Sequence, residues 1–409
     1  MHRCSLYFDA AWHSGGETQR MQVAALFAGI GGLELGLEAS GHRTVLTCEI
    51  APAAMTVLGR HFPDSPNEAD VRVLEALPRG IEVLTAGFPC QDLSQAGTTS
   101  GIGGKKSGLV AHVLRLLDSH RVPVVVLENV SFMLQLEQGA AMHTLAHAFE
   151  ERGYRWAYRT VNSLGFLAQR RKRVFFVASR GDVAPERVLF ADHASPIETH
   201  TPLTSHAHGF YWTEGTRGLG WADDAIPTLK NGSTIGIPSP PAILMPDGRI
   251  IKPDIRDAER LQGFPEDWTA GVDERLRWAL VGNAVTVPVA AWLGGRLAQP
   301  GTYGADLDMA WTAQKAWPRS ARYDGSARHA VRASEYPVWT DRAPLHTFLR
   351  HDGVLLSERA TASPLRFVPG FLDAVRLHLE RVRAGTDLEV AVGRPRRAGG
   401  APALRRRYA

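Results

Sequence analysis

Cysteine is scarce in this chain of 409 residues, which contains only Cys4, Cys48 and Cys90. An odd number at unrelated spacings argues against a disulfide framework and indicates a reducing compartment, so we expect a cytoplasmic protein. No run of roughly 18 or more apolar residues occurs, which argues against a membrane-spanning helix. The first 20 residues also lack the continuous apolar core of a secretory signal.

An excess of charge of either sign is missing too, because 46 Lys and Arg face 42 Asp and Glu. A formal net charge of +4 is too small to indicate a nucleic-acid partner by itself, although it leaves room for a local basic face. Hydrophobic residues make up 44% and charged residues 22% of the chain, as in globular proteins. The length allows two or three domains.

The clearest pattern begins at Met21. An apolar run over 22–27 leads into the glycine-rich segment 28–32, and a helical stretch follows that ends at Gly41. Strand, glycine turn and helix form the opening unit of a nucleotide-binding sheet. Glu34 stands where the third glycine of a dinucleotide fingerprint would lie, which argues against a pyrophosphate on this helix.

Two acids follow the glycine turn at informative intervals. Glu49 ends a second predicted strand, 44–48, twenty residues after Gly29, a distance that suits ribose hydroxyls. Asp70 and Val71 end a third short segment, where the carboxylate could accept from an adenine amino group. Either acid alone could be a solvated loop carboxylate. Together they indicate an adenosine without a pyrophosphate, of which S-adenosylmethionine is the commonest cofactor.

A second pair of residues, Cys90 and Glu128, follows predicted buried strands. Cys90 comes in the loop 87–97 after strand 81–86, and Glu128 comes directly after strand 123–127. A thiol at the carboxyl end of a parallel strand can be exposed and ionised, although a lone loop cysteine is as often simply packed. The sequence therefore predicts Cys90 and Glu128 at the same edge of the sheet.

A run of cations heads a further strand, 174–178, and consists of Arg170, Arg171, Lys172 and Arg173. Such a run is either a solvated edge or a nucleic-acid patch, and the shared sheet favours the patch. His200, His206 and His208 lie in the irregular region 183–255, where the absence of cysteines and of a paired acid motif argues against a metal.

A thiolate, a carboxylic acid and a methyl donor suffice to methylate cytosine. Addition of the Cys90 thiolate to carbon 6 would make carbon 5 nucleophilic. A Glu128 carboxyl of raised pKa could protonate ring nitrogen 3, and the Arg171 guanidinium could polarise the base carbonyl. Because a base within a duplex is out of reach, it would have to be flipped out.

These blocks, in this order, resemble the DNA (cytosine-5-)methyltransferases of bacteria and phages. The resemblance covers about 22–297 and rests on the segments 27–32, 87–91, 128–130, 169–173, 256–265 and 282–285. It implies catalytic roles for Cys90, Glu128, Arg171 and Arg173. It implies cofactor contacts from Phe27, Ala28, Gly29, Gly31, Gly32, Glu49, Ile50, Asp70, Val71, Pro89, Leu109, Asn283, Ala284 and Val285, and DNA contacts from Gln91, Ser94, Gln169, Arg170 and Arg256.

The resemblance also implies an α/β fold, with a doubly wound, mostly parallel, Rossmann-like sheet and a smaller irregular target-recognition domain. We expect an N-terminal extension (1–20), a catalytic and cofactor-binding domain (21–182), a target-recognition domain (183–275), a returning helix (276–297) and a C-terminal extension (298–409). Double-stranded DNA would lie in the cleft, and the cofactor would be S-adenosyl-L-methionine. We expect a monomer and no membrane partner. Whether a cognate restriction endonuclease accompanies the protein is left open by the sequence.

Two alternatives share much of this pattern. One is an RNA cytosine-5 methyltransferase with the same motifs, and the other is a catalytically silent DNA-binding module. The extension 298–409 lies outside the resemblance, contains one plausible helix over 368–382 and ends in six arginines after Glu389. It is either a DNA-contacting arm or a solvated, partner-binding appendage.

Overall fold

The computed structural model describes residues 20–88, 108–197, 201–211, 220–230, 240–312, 317–357 and 380. Four of the predicted site residues, Pro89, Cys90, Gln91 and Ser94, lie outside the described residues, as does the predicted helix 368–382 apart from Glu380.

The first half of the chain alternates strands and helices. Buried apolar residues over most of the strands, and amphipathic patterns in the longer helices, explain this alternation. The elements are β1 (Gln22–Leu26), α1 (Gly32–Ala39), β2 (Arg43–Cys48), α2 (Pro52–His61), β3 (Asn67–Glu68), β4 (Val83–Ala86), α3 (Val110–His120), β5 (Val124–Val130), α4 (Ala140–Glu151), β6 (Arg155–Asn162), β7 (Gln169–Arg170) and β8 (Lys172–Ser179).

The second half is built of shorter elements, as its Pro-, Gly- and Thr-rich composition predicts. They are α5 (Pro185–Leu189), β9 (His208–Phe210), β10 (Ala222–Asp223), β11 (Ile226–Pro227), β12 (Ala242–Leu244), β13 (Ile250–Lys252), α6 (Ile255–Leu261), α7 (Glu274–Asn283), α8 (Val287–Ala298), β14 (Asp308–Met309), β15 (Ser320–Tyr323), β16 (Arg328–Val331), α9 (Leu345–Phe348) and β17 (Val354–Leu355).

The main sheet has ten strands in the order β14-β16-β15-β6-β8-β5-β4-β1-β2-β3. The ladders from β3 to β5 are parallel. The ladders from β5 to β14 are antiparallel, so the sheet is mixed. The predicted α/β, Rossmann-like fold is confirmed, but the sheet is mixed and not mostly parallel as expected, because the strands beyond β5 pair antiparallel. The parallel half has the strand-end geometry that positions ligands in such folds.

The segment after residue 298 contributes to the two larger of the three sheets, which the sequence did not predict. Strands β14 to β16 extend the main sheet beyond β6. Strand β17 pairs with β13 in a smaller five-stranded sheet of order β10-β9-β12-β13-β17. The described residues between 299 and 357 are therefore integrated into the fold.

Helices α1 and α8 pack at close range, which brings the segment 282–285 next to the glycine turn. A Cβ added to Gly36 would lie 2.4 Å from the Cβ of Ala290, so only glycine allows this approach. A Cβ on Gly32 would lie 2.5 Å from the carbonyl oxygen of Val285. The chain returns to the first βα unit through these contacts.

Within the described part of the chain, one segment, Glu274–Ala298, is long and apolar enough to cross a membrane by length and composition, although it contains no uninterrupted apolar run of that length. Within this segment 61% of the apolar window is buried inside the fold. The extended backbone of Ala284 also separates it into α7 and α8. Buried core helices pass the same test, so the finding is weak evidence for a membrane span.

Candidate active site

A cavity of about 570 Å³ opens at the carboxyl ends of β1, β2, β4 and β5. Its volume is in the range of ligand pockets for molecules of nucleoside size. Its walls include eleven residues that the sequence predicted for the site: Phe27, Gly29, Glu49, Ile50, Asp70, Val71, Leu109, Glu128, Arg173, Asn283 and Ala284. Four others, Ala28, Gly31, Gly32 and Val285, are not among the residues that line it.

The glycine turn after β1 has an unusual backbone. Phe27, Gly29 and Gly31 have φ values of 54°, 57° and 83°, all in the left-handed region. A Cβ on Gly29 would meet no heavy atom within 4 Å, so this backbone faces open space in the cavity wall. A Cβ on Gly31 would lie 2.4 Å from Cε2 of Phe62, which requires glycine there. The turn therefore presents bare backbone to a ligand while its rear is tightly packed.

Glu49 is fixed by two backbone donors. Its Oε2 accepts from the N–H of Gly29 at 2.9 Å, and its Oε1 accepts from the N–H of Ala51 at 2.8 Å. Because each carboxylate oxygen has two acceptor positions, both can still accept from a ligand. The next residue, Ile50, is 59% exposed and offers an apolar surface at the same cavity.

Asp70 is a charged acceptor at the cavity wall. Its Oδ1 accepts from the N–H of Arg72 at 2.9 Å, and the Arg72 guanidinium pairs with both carboxylate oxygens. The hydrogen bonds from Arg72 lower the pKa of Asp70. A ligand amino group would share this carboxylate with Arg72.

Glu128 lines the same cavity as these two acids, and its carboxyl is buried. Burial raises its pKa, and the nearby Arg173 and Arg171 guanidinium groups oppose that effect. Nε of Arg173 lies 3.1 Å from Oε1 of Glu128, and both residues line the cavity. A carboxyl with a raised pKa at a ligand cavity is suited to hold and donate a proton.

Asn129 fixes the strand end that leads to Cys90. Its Nδ2 donates to the carbonyl of Phe88 at 3.0 Å, and its Oδ1 accepts from the N–H of Val130 at 2.8 Å. Phe88 precedes Cys90 by two residues in the sequence. The ends of β4 and β5 are thus tied together at the cavity.

Arg171 does not line the cavity, in contrast to its predicted contact with the base. Its guanidinium is buried and donates to the carbonyls of Leu229, Gly282 and Ala284 at 3.0, 3.2 and 2.8 Å. Burial lowers its pKa well below the usual arginine range. Arg171 therefore joins the region before residue 230 to the end of α7, and Arg173 is the guanidinium that faces the cavity.

Gln169 was predicted to contact DNA, but it lies in the core. Its side chain is 0% exposed. Its Nε2 donates to the carbonyl of Leu261 and to Oε1 of Gln262, both at 2.9 Å, while its Oε1 accepts from the N–H of Leu229 at 3.0 Å. These bonds occupy the side-chain amide, so it has no route to a DNA surface.

The remaining cations predicted to bind DNA lie outside the cavity wall. Arg170 donates to the carbonyl of Gly220 at 2.8 Å. Arg256 is half exposed and pairs with Asp254 at 2.9 Å, and this carboxylate raises the pKa of Arg256. Their contact with DNA stays a prediction.

Glu34 does not face the ligand cavity. It is buried, and its Oε1 accepts from Oγ1 of Thr85 on β4 at 3.1 Å. Burial raises its pKa from 4.5 to about 7. The residue that broke the dinucleotide pattern is therefore a core carboxyl.

Sequence reasoning missed a buried polar network behind the site. Oε1 of Gln262 accepts from Gln169 and from Thr286, both at 2.9 Å. Nε2 of Gln262 donates to the carbonyl of Val281 at 2.9 Å. No local signal marks Gln262, because it follows a stretch with four charged residues, Arg256, Asp257, Glu259 and Arg260.

Among the described residues, no group of three or more His, Cys, Asp or Glu could hold a metal ion. His208 instead lies 3.1 Å from the Asp223 carboxylate, and His206 lies 2.9 Å from the Ser205 hydroxyl. His200 lies outside the described residues.

The fold and cavity define a Rossmann-like domain with a nucleoside-sized site and a buried acid at the carboxyl edge of its sheet. A family model described as C-5 cytosine-specific DNA methylase matches residues 21–208 and 245–299, which is more than half of the chain. The chain belongs to the C-5 cytosine-specific DNA methylase family, so the resemblance seen in the sequence is confirmed.

Individual relatives agree with this family. The Type II methyltransferase M2.BsuMI of Bacillus subtilis is 43% identical over 356 residues, which cover 83% of this chain and 91% of that protein. The Type II methyltransferase M.DsaV of Dactylococcopsis salina is 26% identical over 307 residues, covering 67% and 84%. The crystal structure of the S. pombe Dnmt2 methyltransferase is similar in fold, with a TM-score of 0.52 at 18% identity over 68% of this chain and 98% of that chain.

Proposed function

We propose that this protein methylates carbon 5 of a cytosine in double-stranded DNA, with S-adenosyl-L-methionine as the methyl donor and Cys90 as the nucleophile. One observation carries the proposal. Glu128, a buried carboxyl of raised pKa, shares a single cavity with Glu49, Asp70 and the glycine turn. An acid that can serve a reacting base therefore lies beside acceptors suited to an adenosine.

The residues present fit such a cofactor. Glu49 offers acceptor positions for ribose hydroxyls, Asp70 offers one for an adenine amino group, and Ile50 offers an apolar face for the base. The open backbone at Gly29 allows close approach of the ligand. Bound there, S-adenosylmethionine supplies the methyl group as a sulfonium electrophile.

The protein groups have separate tasks in this reaction. Addition of the Cys90 thiolate to carbon 6 of the cytosine makes carbon 5 nucleophilic, so that carbon 5 takes the methyl group and S-adenosylhomocysteine leaves. Loss of the carbon 5 proton to a base and elimination of the thiolate then restore the aromatic ring. Glu128 holds the proton for ring nitrogen 3, which removes the negative charge that the addition would otherwise place on the base. Arg173 orients Glu128 through their ion pair, and its guanidinium polarises the base carbonyl.

We propose that the region 183–275 recognises the DNA sequence and that the enzyme works as a monomer. It acts where the cellular DNA lies, and in a bacterium this is the cytoplasm. Type II naming of the relatives supports, in addition, a companion restriction endonuclease. Extrusion of the target cytosine from the duplex accompanies binding.

The test is transfer of labelled methyl groups from S-adenosylmethionine to unmethylated duplex DNA, with base-resolution mapping of the product. We expect 5-methylcytosine in one sequence context, and no transfer by Cys90→Ala although that variant still binds S-adenosylhomocysteine. Transfer at the parental rate by Cys90→Ala would contradict the nucleophile.

Parallel reactions separate the alternatives. A duplex with 5-fluorocytosine at the target should trap the protein covalently, whereas a silent DNA-binding module forms no adduct. Preferential transfer to tRNA would replace DNA by RNA as the substrate.

A further inference from the structure

We infer that Trp268, which does not line the cavity, is a positioning residue that holds the glycine turn in its ligand-binding conformation. The inference rests on the proposed function, because the ligand of that turn is the proposed cofactor. Trp268 lies within 183–275, the region predicted to recognise DNA, about 240 residues after the turn in the sequence.

The contact is direct and buried. Nε1 of Trp268 donates to the carbonyl of Ile30 at 2.9 Å, and Trp268 is only 6% exposed. Ile30 stands between Gly29, whose bare backbone faces the cavity, and Gly31, whose left-handed conformation begins α1. The indole therefore fixes the orientation of the peptide group in the middle of the turn.

The turn needs such support because its backbone is strained. Phe27 has φ 54°, in a region that side-chain-bearing residues seldom adopt. A conformation of this kind persists only where its surroundings determine it. Glu49 accepts from the N–H of Gly29 and Trp268 donates to the carbonyl of Ile30, so each residue fixes one peptide group of the turn.

Trp268 is itself fixed from several directions. The ring of His61 stacks on it at 3.5 Å between centroids, and Nε2 of His61 lies 2.8 Å from the carbonyl oxygen of Trp268. Phe62, whose ring fills the space behind Gly31, meets the indole edge-on at 6.4 Å. Because the indole is held in place by these contacts, its hydrogen bond to Ile30 restrains the backbone of the turn.

The segment that carries Trp268 is anchored in turn to α6 and α7. Glu259 accepts from the N–H of Thr269 at 2.9 Å and from Arg277 at 3.0 Å. Glu259 and Thr269 are fully buried. The turn that would hold the cofactor is thus supported from outside the first βα unit.

Trp268→Phe is the informative variant, because it keeps an aromatic ring and removes only the N–H donor and part of the ring. We expect the dissociation constant for S-adenosylhomocysteine, measured by calorimetry, to rise about three- to tenfold, the usual effect of one buried hydrogen bond. The KM for the methyl donor should rise similarly, while the KM for DNA stays within twofold.

Trp292→Phe is the matched control. Trp292 is 0% exposed and donates from Nε1 to Oδ2 of Asp192 at 2.6 Å, in a part of the core that does not line the cavity. The Trp292→Phe variant likewise loses an indole N–H hydrogen bond and should leave binding of S-adenosylhomocysteine unchanged. Equal weakening in both variants, or parental binding by Trp268→Phe, would overturn the inference.

A second variant guards against a folding defect. His61→Ala removes the ring that stacks on Trp268, at a part-exposed position. It should also raise the dissociation constant for S-adenosylhomocysteine. Parental binding by His61→Ala would contradict the inference. If the parent protein itself binds no S-adenosylhomocysteine, the proposed function fails.

Discussion

Arg171 and Arg173 lie two residues apart, and the structure predicts opposite consequences for their loss. Arg171 donates to three backbone carbonyls, whereas Arg173 pairs with Glu128 at the cavity. We expect Arg171→Leu to destabilise the protein and Arg173→Leu to impair the reaction.

The magnitude for Arg171→Leu follows from its partners. The carbonyl of Ala284 keeps a second donor, Nε2 of Gln262 at 3.2 Å, so two carbonyls lose their guanidinium donor outright. A hydrogen bond to a charged group contributes about 1.5–3 kcal/mol, which gives roughly 3–6 kcal/mol for two. Relief of the cost of burying the charge brings the expected loss to about 3 kcal/mol.

Arg173→Leu leaves Glu128 buried without its partner, and Glu128 can respond by taking up a proton. Its pKa should therefore rise further, and the stability cost should be smaller than for Arg171→Leu.

Thermal unfolding followed by tryptophan fluorescence, together with kcat for methyl transfer by the folded fraction, distinguishes the two variants. Arg171→Leu should unfold at a clearly lower temperature and retain turnover when folded. Parental stability of Arg171→Leu combined with a hundredfold loss of kcat would refute the reasoning, because it would mean that Arg171 contacts the base.

Three further changes have defined outcomes. Glu128→Gln should lower kcat by about 10²–10⁴-fold and leave binding of S-adenosylhomocysteine intact, and activity within tenfold of the parent would dismiss Glu128 as the acid. For Glu34, the folded pKa of about 7 exceeds the ordinary 4.5, so its stabilising effect is present below 4.5 and lost as pH rises through 7. Glu34→Gln should abolish that loss, which amounts to about 3 kcal/mol in unfolding experiments compared between acidic and alkaline pH, and equal pH profiles would contradict it. Asp257→Ala removes a buried carboxylate that accepts from Arg260 at 2.7 Å and from the N–H groups of Arg350 and His351 at 3.0 Å. It should cost about 3–5 kcal/mol and speed proteolysis near residue 350, and unchanged proteolysis would argue against the anchor.

Local sequence patterns predicted the parts of the site that come from single strand ends. Gly29 and Glu49 follow the buried strands β1 and β2, Asp70 follows the short strand β3, and Glu128 lies in β5. These strands are parallel, so their carboxyl ends meet at one edge of the sheet. Their roles stay predictions, but their common location follows from periodicity and spacing. Cys90 lies outside the described residues.

Partners that are distant in the sequence could not be predicted in this way. Gln169 and Arg171 look like surface cations and amides in a basic run, yet their partners, Leu261 and Gly282, lie about 90 and 110 residues further on. Trp268 is equally unremarkable without Ile30 beside it. Tertiary contacts, which no local pattern encodes, decide whether such residues face DNA or the core.

The strands after residue 305 limit how far the protein can be truncated without exposing a sheet edge. Strand β15 pairs along β6, so a chain ending near residue 299, where the family match stops, would leave β6 as an unprotected edge. Open edges of buried, apolar strands invite pairing with other molecules and aggregation. Because β6 and β15 are about 160 residues apart, the sheet can close only after most of the chain has been synthesised, which favours slow folding. A fragment that ends at residue 299 with the family match should therefore be harder to obtain folded than one that extends to residue 357.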